Sequence, residues 1–334
     1  MTVDALERQE IVRNNIDRFN NVMEVYGSDE EPEKELGSYC LDKKIYGECS
    51  FWQYCSRDLP KPNVFDISNM SNNQKFEKYH EGKISFEDLE NDESITNTNF
   101  LQQIDFELHD RETYIDKDSI KEILDNLKYP LYFIDYESLM YAIPQLEGTK
   151  AYQQIPFQYS LHIIQEKGAP IEHKEFLADI DDENMIRTFA ESMIKDMPEE
   201  GSVIIYNSSF EPAVNRKIGE MYHDLKGEME RINRNIVDFM APFRSRLYYT
   251  KEMEGSYSIK KVLPALFPNN PELNYDNLPL VHNGVEAPIE FIGLKDKSPE
   301  KQKESREGLL KYCELDTYAM VKIWEKFKEV TSDD

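Results

Sequence analysis

The chain has 334 residues, 40% of them hydrophobic and 12% aromatic, which is enough for a packed core and excludes a disordered protein. Its formal net charge of −26 excludes a surface that coats nucleic acid non-specifically, so any nucleic-acid site must be local or must use metal ions to offset phosphate charge. No apolar run approaches the length of a membrane span, the N-terminus has no apolar signal core, and four cysteines are too few for a disulfide scaffold, so a soluble, cytoplasmic protein is expected.

Residues 3–25 place Ala5, Ile11, Val12, Ile16, Phe19, Val22 and Met23 at helical spacing among polar residues, which predicts an amphipathic helix. An acidic connector, 27–35, follows. Cys40, Cys49 and Cys55 then occur in a C-x8-C-x5-C pattern. Thiolates suit zinc or an iron–sulfur cluster, but this spacing fits no standard zinc finger and lacks a fourth ligand. Three reduced thiols in an aromatic turn fit the pattern equally well.

Residues 71–112 read as polar helices broken at Gly82, with Ser85 as an N-cap. Such a hairpin can touch a nucleic-acid backbone; packing is the favoured role. A helix through Ser119–Leu127, opened by Asp116 or Asp118, stops before Pro130. The expected organisation is 1–60 (helix and cysteine segment), 61–130 (helical connector) and 131–334 (a mixed α/β domain).

The run Leu131-Tyr-Phe-Ile-Asp-Tyr-Glu137 reads as a buried strand ending in two carboxylates. Carboxylates in such a place need a partner, and hard oxygen ligands suit magnesium or manganese. Strands at 157–164 and 172–177, a helix at 183–194, a short apolar strand from Ser202, a helix through Glu211–Met221 and a short strand at Ile236 follow. A Pro-rich stretch from Pro268 to about Lys301 reads as an inserted loop or lid, and Arg306–Val330 as the last helix. The order predicts a mixed sheet with helices on both faces.

The polar residues at the ends of these elements form one set. Asp135 and Glu137 follow the first strand, Asn207 and Glu211 follow the central one, and Tyr312 shares a helix face with Asp316. Four such carboxylates suit two divalent ions, which activate water and stabilise the leaving oxygen of a phosphodiester. Asp238 reads as a cap beyond a short strand, and His162 and His173 as structural. Arg244, Arg246, Lys260 and Lys261 lie among aromatic residues, a mixture that suits backbone contacts and base stacking on a single strand.

Asp135-Tyr-Glu137, Asn207-Ser-Ser-Phe-Glu211 and Tyr312-Cys-Glu-Leu-Asp316 resemble, in order, the three motifs of the DEDDy 3′–5′ exonucleases, whose fold is RNase H-like. The resemblance implies that Asp135, Glu211 and Asp316 bind metal, that Glu137 binds metal and the attacking water, and that Tyr312 positions that water. Glu211 stands where the motif usually has Asp, and its extra methylene moves the carboxylate by about 1.5 Å. The segments Phe157-Gln-Tyr-Ser-Leu-His162, Asn207-Ser-Ser-Phe-Glu211 and Gly255-Ser-Tyr-Ser-Ile-Lys260 also resemble an uncharacterised bacterial family, DUF2779, in which Glu is the usual acid. Members of that family often carry an upstream RecB-like nuclease domain with an iron–sulfur cluster. The Cys40, Cys49 and Cys55 stretch resembles the tail of that domain. The rest of it is expected outside this chain, as a partner domain or subunit, leaving zinc or free thiols here. The expected activity is two-metal, Mg²⁺- or Mn²⁺-dependent removal of nucleotides from a DNA or RNA 3′ end. The alternatives are a non-catalytic module that binds a nucleic-acid end or a partner, and an RNase H-type endonuclease.

Overall fold

The computed structural model describes residues 2–30, 35–41 and 48–332. Two compact units divide the chain at other points than 60 and 130: residues 1–64 with 71–85, and residues 65–70 with 86–334.

The first unit holds helices α1 (Thr2–Asn14), α2 (Ile16–Tyr26), α3 (Trp52–Cys55) and α4 (Asn72–His80). The expected single amphipathic helix is two, with a turn at Asn15, and its apolar residues from Ile11 to Tyr26 face solvent. Ser71 and Gln74 close a capping box on α4, and Phe76 packs edge-on to Trp52 at 6.5 Å.

The second unit opens with α5 (Phe86–Glu90), α6 (Thr98–His109), strand β1 (Tyr114–Ile115) and α7 (Lys117–Asp125). Asp116 caps α7, accepting from the Ser119 amide at 3.0 Å. Phe106 of α6 and Ile120 of α7 sit in one apolar cluster with Leu131 and Phe133. That shared core is why most of the expected connector belongs to the same unit as the sheet.

The sheet comprises β2 (Leu131–Leu139), β3 (Ile155–Ile164), β4 (Glu172–Leu177), β5 (Ser202–Ile205) and β6 (Ile236–Asp238). Its order is β4-β3-β2-β5-β6. The first three strands run antiparallel in sequence, and β5 and β6 continue the sheet parallel to β2. Helix α8 (Met185–Asp196) covers one face, where Phe189 meets Tyr136 and Tyr159 edge-on at 5.1 and 5.5 Å. Helices α9 (Glu211–Met221) and α10 (Lys226–Arg234) follow, then α11 (Ala241–Arg244) and strand β7 (Tyr248–Tyr249), which pairs with β1. Helix α12 (Ile259–Leu266) precedes α13 (Glu286–Ile292) and the 33-residue α14 (Pro299–Thr331), which crosses the other sheet face. The mixed α/β class expected from the sequence is what forms, with about 51% helix.

Two expectations about the C-terminal part are corrected. The 268–298 stretch is no open lid: Leu273, Tyr275, Val281, Ala287 and Phe291 are buried, and Phe291 stacks on Phe157 at 4.2 Å. Its prolines and asparagines close short 3-10 turns instead of leaving chain in solvent. The last helix begins at Pro299, not Arg306, because proline with its preset φ suits a first helical turn. Among the described residues no helix is long and apolar enough to cross a membrane.

Candidate metal centre

Successive side chains of a strand alternate faces, so Asp135 and Glu137 leave β2 on the face that Phe133 also uses. Phe133 meets Trp324 of α14 there at 6.2 Å. α14 brings Asp316 down onto this face, and one carboxylate oxygen of each of Asp135, Glu137 and Asp316 lies within 4.8 Å of the others. Glu137 is buried; Asp135 and Asp316 are half-buried.

Glu211 stands outside this tight triplet but in its field. It is the first residue of α9 and only 3% exposed, and its Oε2 has no hydrogen-bond partner. The loop that delivers it is held by Asp238. The Asp238 carboxylate accepts from the Asn207 amide at 3.0 Å, the Ser208 amide at 3.2 Å and the Met240 amide at 2.9 Å. Asp238 is therefore a cap, as its position beyond a short strand implied. Asn207 takes φ +84°, the left-handed region that asparagine tolerates.

Burial raises the pKa of all four carboxylates, and neighbouring carboxylates add to it at Asp135, Glu137 and Glu211. Burial, then Asp316, Glu211 and Glu137, push Asp135 well above the usual carboxylate range. Burial and Asp316 do the same to Glu137, with Lys260 opposing. Burial, with Asp238 and Asp316 adding to it, lifts Glu211 to about 8. Burial lifts Asp316 to about 6, against hydrogen bonds from Tyr275 and Tyr312 and the charge of Lys260. At about 5 Å and an effective dielectric near 20, each ionised pair repels by roughly 3 kcal/mol. The cluster therefore demands protons or cations. An all-oxygen donor set with a buried, unpartnered Glu211 oxygen fits hard divalent ions such as Mg²⁺ or Mn²⁺.

Tyr312 lies one turn before Asp316 on α14. Burial and the charges of Asp316, Glu137 and Asp135 push its phenol far up, so it keeps its proton. Tyr275, which sequence reasoning missed, donates to Asp316 Oδ1 at 2.6 Å and lies 6.1 Å from the Tyr312 ring. No periodicity marks it, because it sits in a stretch that reads as loop. Cys313 is buried with its Sγ 3.6 Å from the Asp135 carbonyl oxygen.

The expected substrate residues separate. Lys260 stands beside the centre: its Nζ donates to the His282 carbonyl at 3.0 Å and lies 5.3 Å from the Tyr275 ring centroid. Asn207 lies on the loop that delivers Glu211, and its Oδ1 accepts from the Ser209 hydroxyl at 3.0 Å. Arg244 pairs with Asp238 at 3.8 Å, and Lys261 with Glu254 at 2.6 Å. Arg246 is not presented to a substrate. It is 8% exposed, donates to the Gly255 carbonyl at 2.9 Å, and stacks 4.1 Å above the Tyr249 ring. Of the three clustered cysteines, Cys40 is buried, Cys49 half-buried and Cys55 exposed. Among the described residues they enter no group of metal-ligating atoms within 4.8 Å of one another.

Residues 132–258 match the family described as "Domain of unknown function (DUF2779)". The chain is also similar to the uncharacterized protein UU173 of Ureaplasma parvum, with 27% identity over 164 residues. The alignment covers 46% of this chain and about a quarter, 24%, of that protein's length. No solved structure matches.

Proposed function

We propose that the sheet and its helices form an RNase H-like domain that acts as a metal-dependent 3′–5′ exonuclease on single-stranded or end-frayed nucleic acid. The observation that carries this reading is the convergence of Asp135 and Glu137 from within strand β2 and Asp316 from helix α14, with the unpartnered Glu211 oxygen in their field. The antiparallel strands continued by two parallel ones support the fold. Mg²⁺ or Mn²⁺ ions held by Asp135, Glu137, Glu211 and Asp316 would supply charge neutralisation and water activation for phosphodiester hydrolysis. The chain's own residues do the rest. Tyr312, held protonated, orients the attacking water by its hydroxyl and does not serve as a base. Lys260, beside Glu137 and Asp316, is the cation available to a phosphate oxygen. In the same reading Cys40, Cys49 and Cys55 are the tail of a RecB-like domain and need a further ligand to close a zinc or iron–sulfur site.

The test is a time course with 5′-labelled DNA and RNA oligonucleotides in Mg²⁺ and Mn²⁺. A ladder shortening from the 3′ end is expected, slowed at least ~10³-fold by Asp135→Ala or Asp316→Ala with the thermal midpoint retained. An Asp135→Ala enzyme that degrades as fast as wild type sinks the reading. Cleavage of a circular substrate would instead mark an endonuclease. Intact substrate throughout would favour a non-catalytic module that binds a nucleic-acid end or a partner, for which Glu211, standing outside the tight triplet, is the structural argument.

A further inference from the structure

A second polar cluster lies across the same sheet face, toward its outer edge. His162 of β3 and His173 of β4 are register partners, and their rings stack with centroids 4.5 Å apart. Each ring has one nitrogen engaged by a hydroxyl. His162 Nδ1 is 2.8 Å from Thr317 Oγ1, and His173 Nε2 is 2.9 Å from Ser160 Oγ. The two hydroxyls are 2.7 Å apart.

One proton order satisfies every contact in this network. The Thr317 hydroxyl is 3.0 Å from the Glu314 carbonyl of its own helix. A hydroxyl has a single proton, and with that proton on the carbonyl Thr317 Oγ1 accepts from the His162 Nδ1–H and the Ser160 hydroxyl. Ser160 in turn accepts from the His173 Nε2–H. The remaining nitrogens, His162 Nε2 and His173 Nδ1, are left with lone pairs. Facing His173 Nδ1 is Glu314 Oε1, at 3.8 Å, too far for a hydrogen bond. One ligand atom from each of His162, His173 and Glu314 lies within 4.8 Å of the other two.

We infer that His162 Nε2, His173 Nδ1 and the Glu314 carboxylate form a binding site for one zinc-class divalent ion, distinct from the all-oxygen carboxylate centre. Imidazole nitrogen with one carboxylate is a borderline ligand set that suits zinc, whereas four carboxylates suit harder ions. A metal-ligating histidine holds its other N–H in a hydrogen bond that fixes tautomer and ring angle, and both rings already do so here. Zinc at about 2.0–2.2 Å from a nitrogen and an oxygen sets them roughly 3.3 Å apart. The His173 Nδ1–Glu314 Oε1 pair, now 3.8 Å apart, closes to that distance by moving the half-exposed Glu314 side chain, and the two stacked rings tilt to turn their in-plane lone pairs onto one ion. The bound ion ties the edge strand β4 and its neighbour β3 to α14, two residues from Asp316. The inference does not depend on the exonuclease reading.

The test uses the full chain with Asp135→Asn to disable the carboxylate centre and Cys40→Ser, Cys49→Ser and Cys55→Ser to remove the thiolates. Calorimetric titration of the metal-stripped protein with Zn²⁺ is expected to give one equivalent bound. His173→Asn and Glu314→Gln, both at accessible positions, should each weaken it by about tenfold or more. Co²⁺ should give visible d–d bands. No binding of Zn²⁺ overturns the inference and leaves a stacked histidine pair. Binding unchanged in both variants overturns it equally, since the ion then sits elsewhere.

Discussion

Asp135, Glu137, Glu211 and Asp316 hold protons more tightly in the fold than in an unfolded chain, and the sign of that linkage has a measurable outcome. A carboxylate whose folded pKa is raised adds stability that is complete below its ordinary pKa, near 4, and is lost as pH rises through the folded value. With Asp316 lifted to about 6 and Glu211 to about 8, the loss falls between about pH 4 and pH 8. The metal-free protein should therefore melt at a lower temperature at pH 8 than at pH 5.5, by several degrees, in a differential scanning fluorimetry series. Glu211→Gln should flatten the dependence, and Mn²⁺ should raise the midpoint more at pH 8 than at pH 5.5. Equal midpoints at both pH values would refute the electrostatic account. Tyr275 belongs to the same scale. Its hydroxyl stabilises the ionised form of Asp316 and fixes the carboxylate's orientation. Tyr275→Phe should weaken Mn²⁺ binding by roughly 10-fold in calorimetry while leaving the thermal midpoint of the metal-free protein within about 2 °C.

Elements, rather than residues, decide how much was legible in advance. β3 announces itself by alternation: Phe157, Tyr159, Leu161 and Ile163 pack in the core under α8, while Gln158, Ser160 and His162 alternate with them and hydrogen-bond to α14. The carboxylates were legible because side-chain direction follows from period alone, although β2 runs past its expected end at Glu137 to Leu139, so Asp135 and Glu137 lie inside the strand, and Glu211 opens α9. The start of α14 was not legible: its first two turns are nearly all polar, and Pro299 reads as a break until the helix beyond it is seen. The 268–298 stretch was misread for a related reason. Its burial depends on Phe291 finding Phe157 and Tyr275 finding Asp316, contacts between residues over 40 positions apart or more. Arg246 was taken for a substrate cation because sequence carries no sign that its guanidinium is buried over Tyr249 and bonded to the Gly255 carbonyl. The α8 face can be tested on its own. Phe189→Ala removes a ring wedged between Tyr136 and Tyr159 and should cost about 3–5 kcal/mol in chemical denaturation. A loss below about 1 kcal/mol would mean that α8 is not anchored there.

For the whole molecule the net charge of −26 opposes any polyanion. Binding of a single-stranded oligonucleotide, followed by fluorescence anisotropy with Tyr312→Phe to slow turnover while all four carboxylates stay in place, should therefore be far weaker in EDTA than in Mn²⁺. Equal affinity in both would locate binding away from the carboxylates.

α14 carries Tyr312, Glu314, Asp316 and Thr317 within six residues of one another, and each serves a different neighbour. A helix turns by about 100° per residue, so these assignments amount to a phase as well as a list. One residue inserted just before Tyr312 would re-aim everything on one side of it by more than a quarter turn, detuning both polar clusters in a single step. Drift in length is therefore barred in this rod, whereas the exposed 165–171 turn can lengthen freely. Evolutionary or engineered change at either cluster must proceed by substitution.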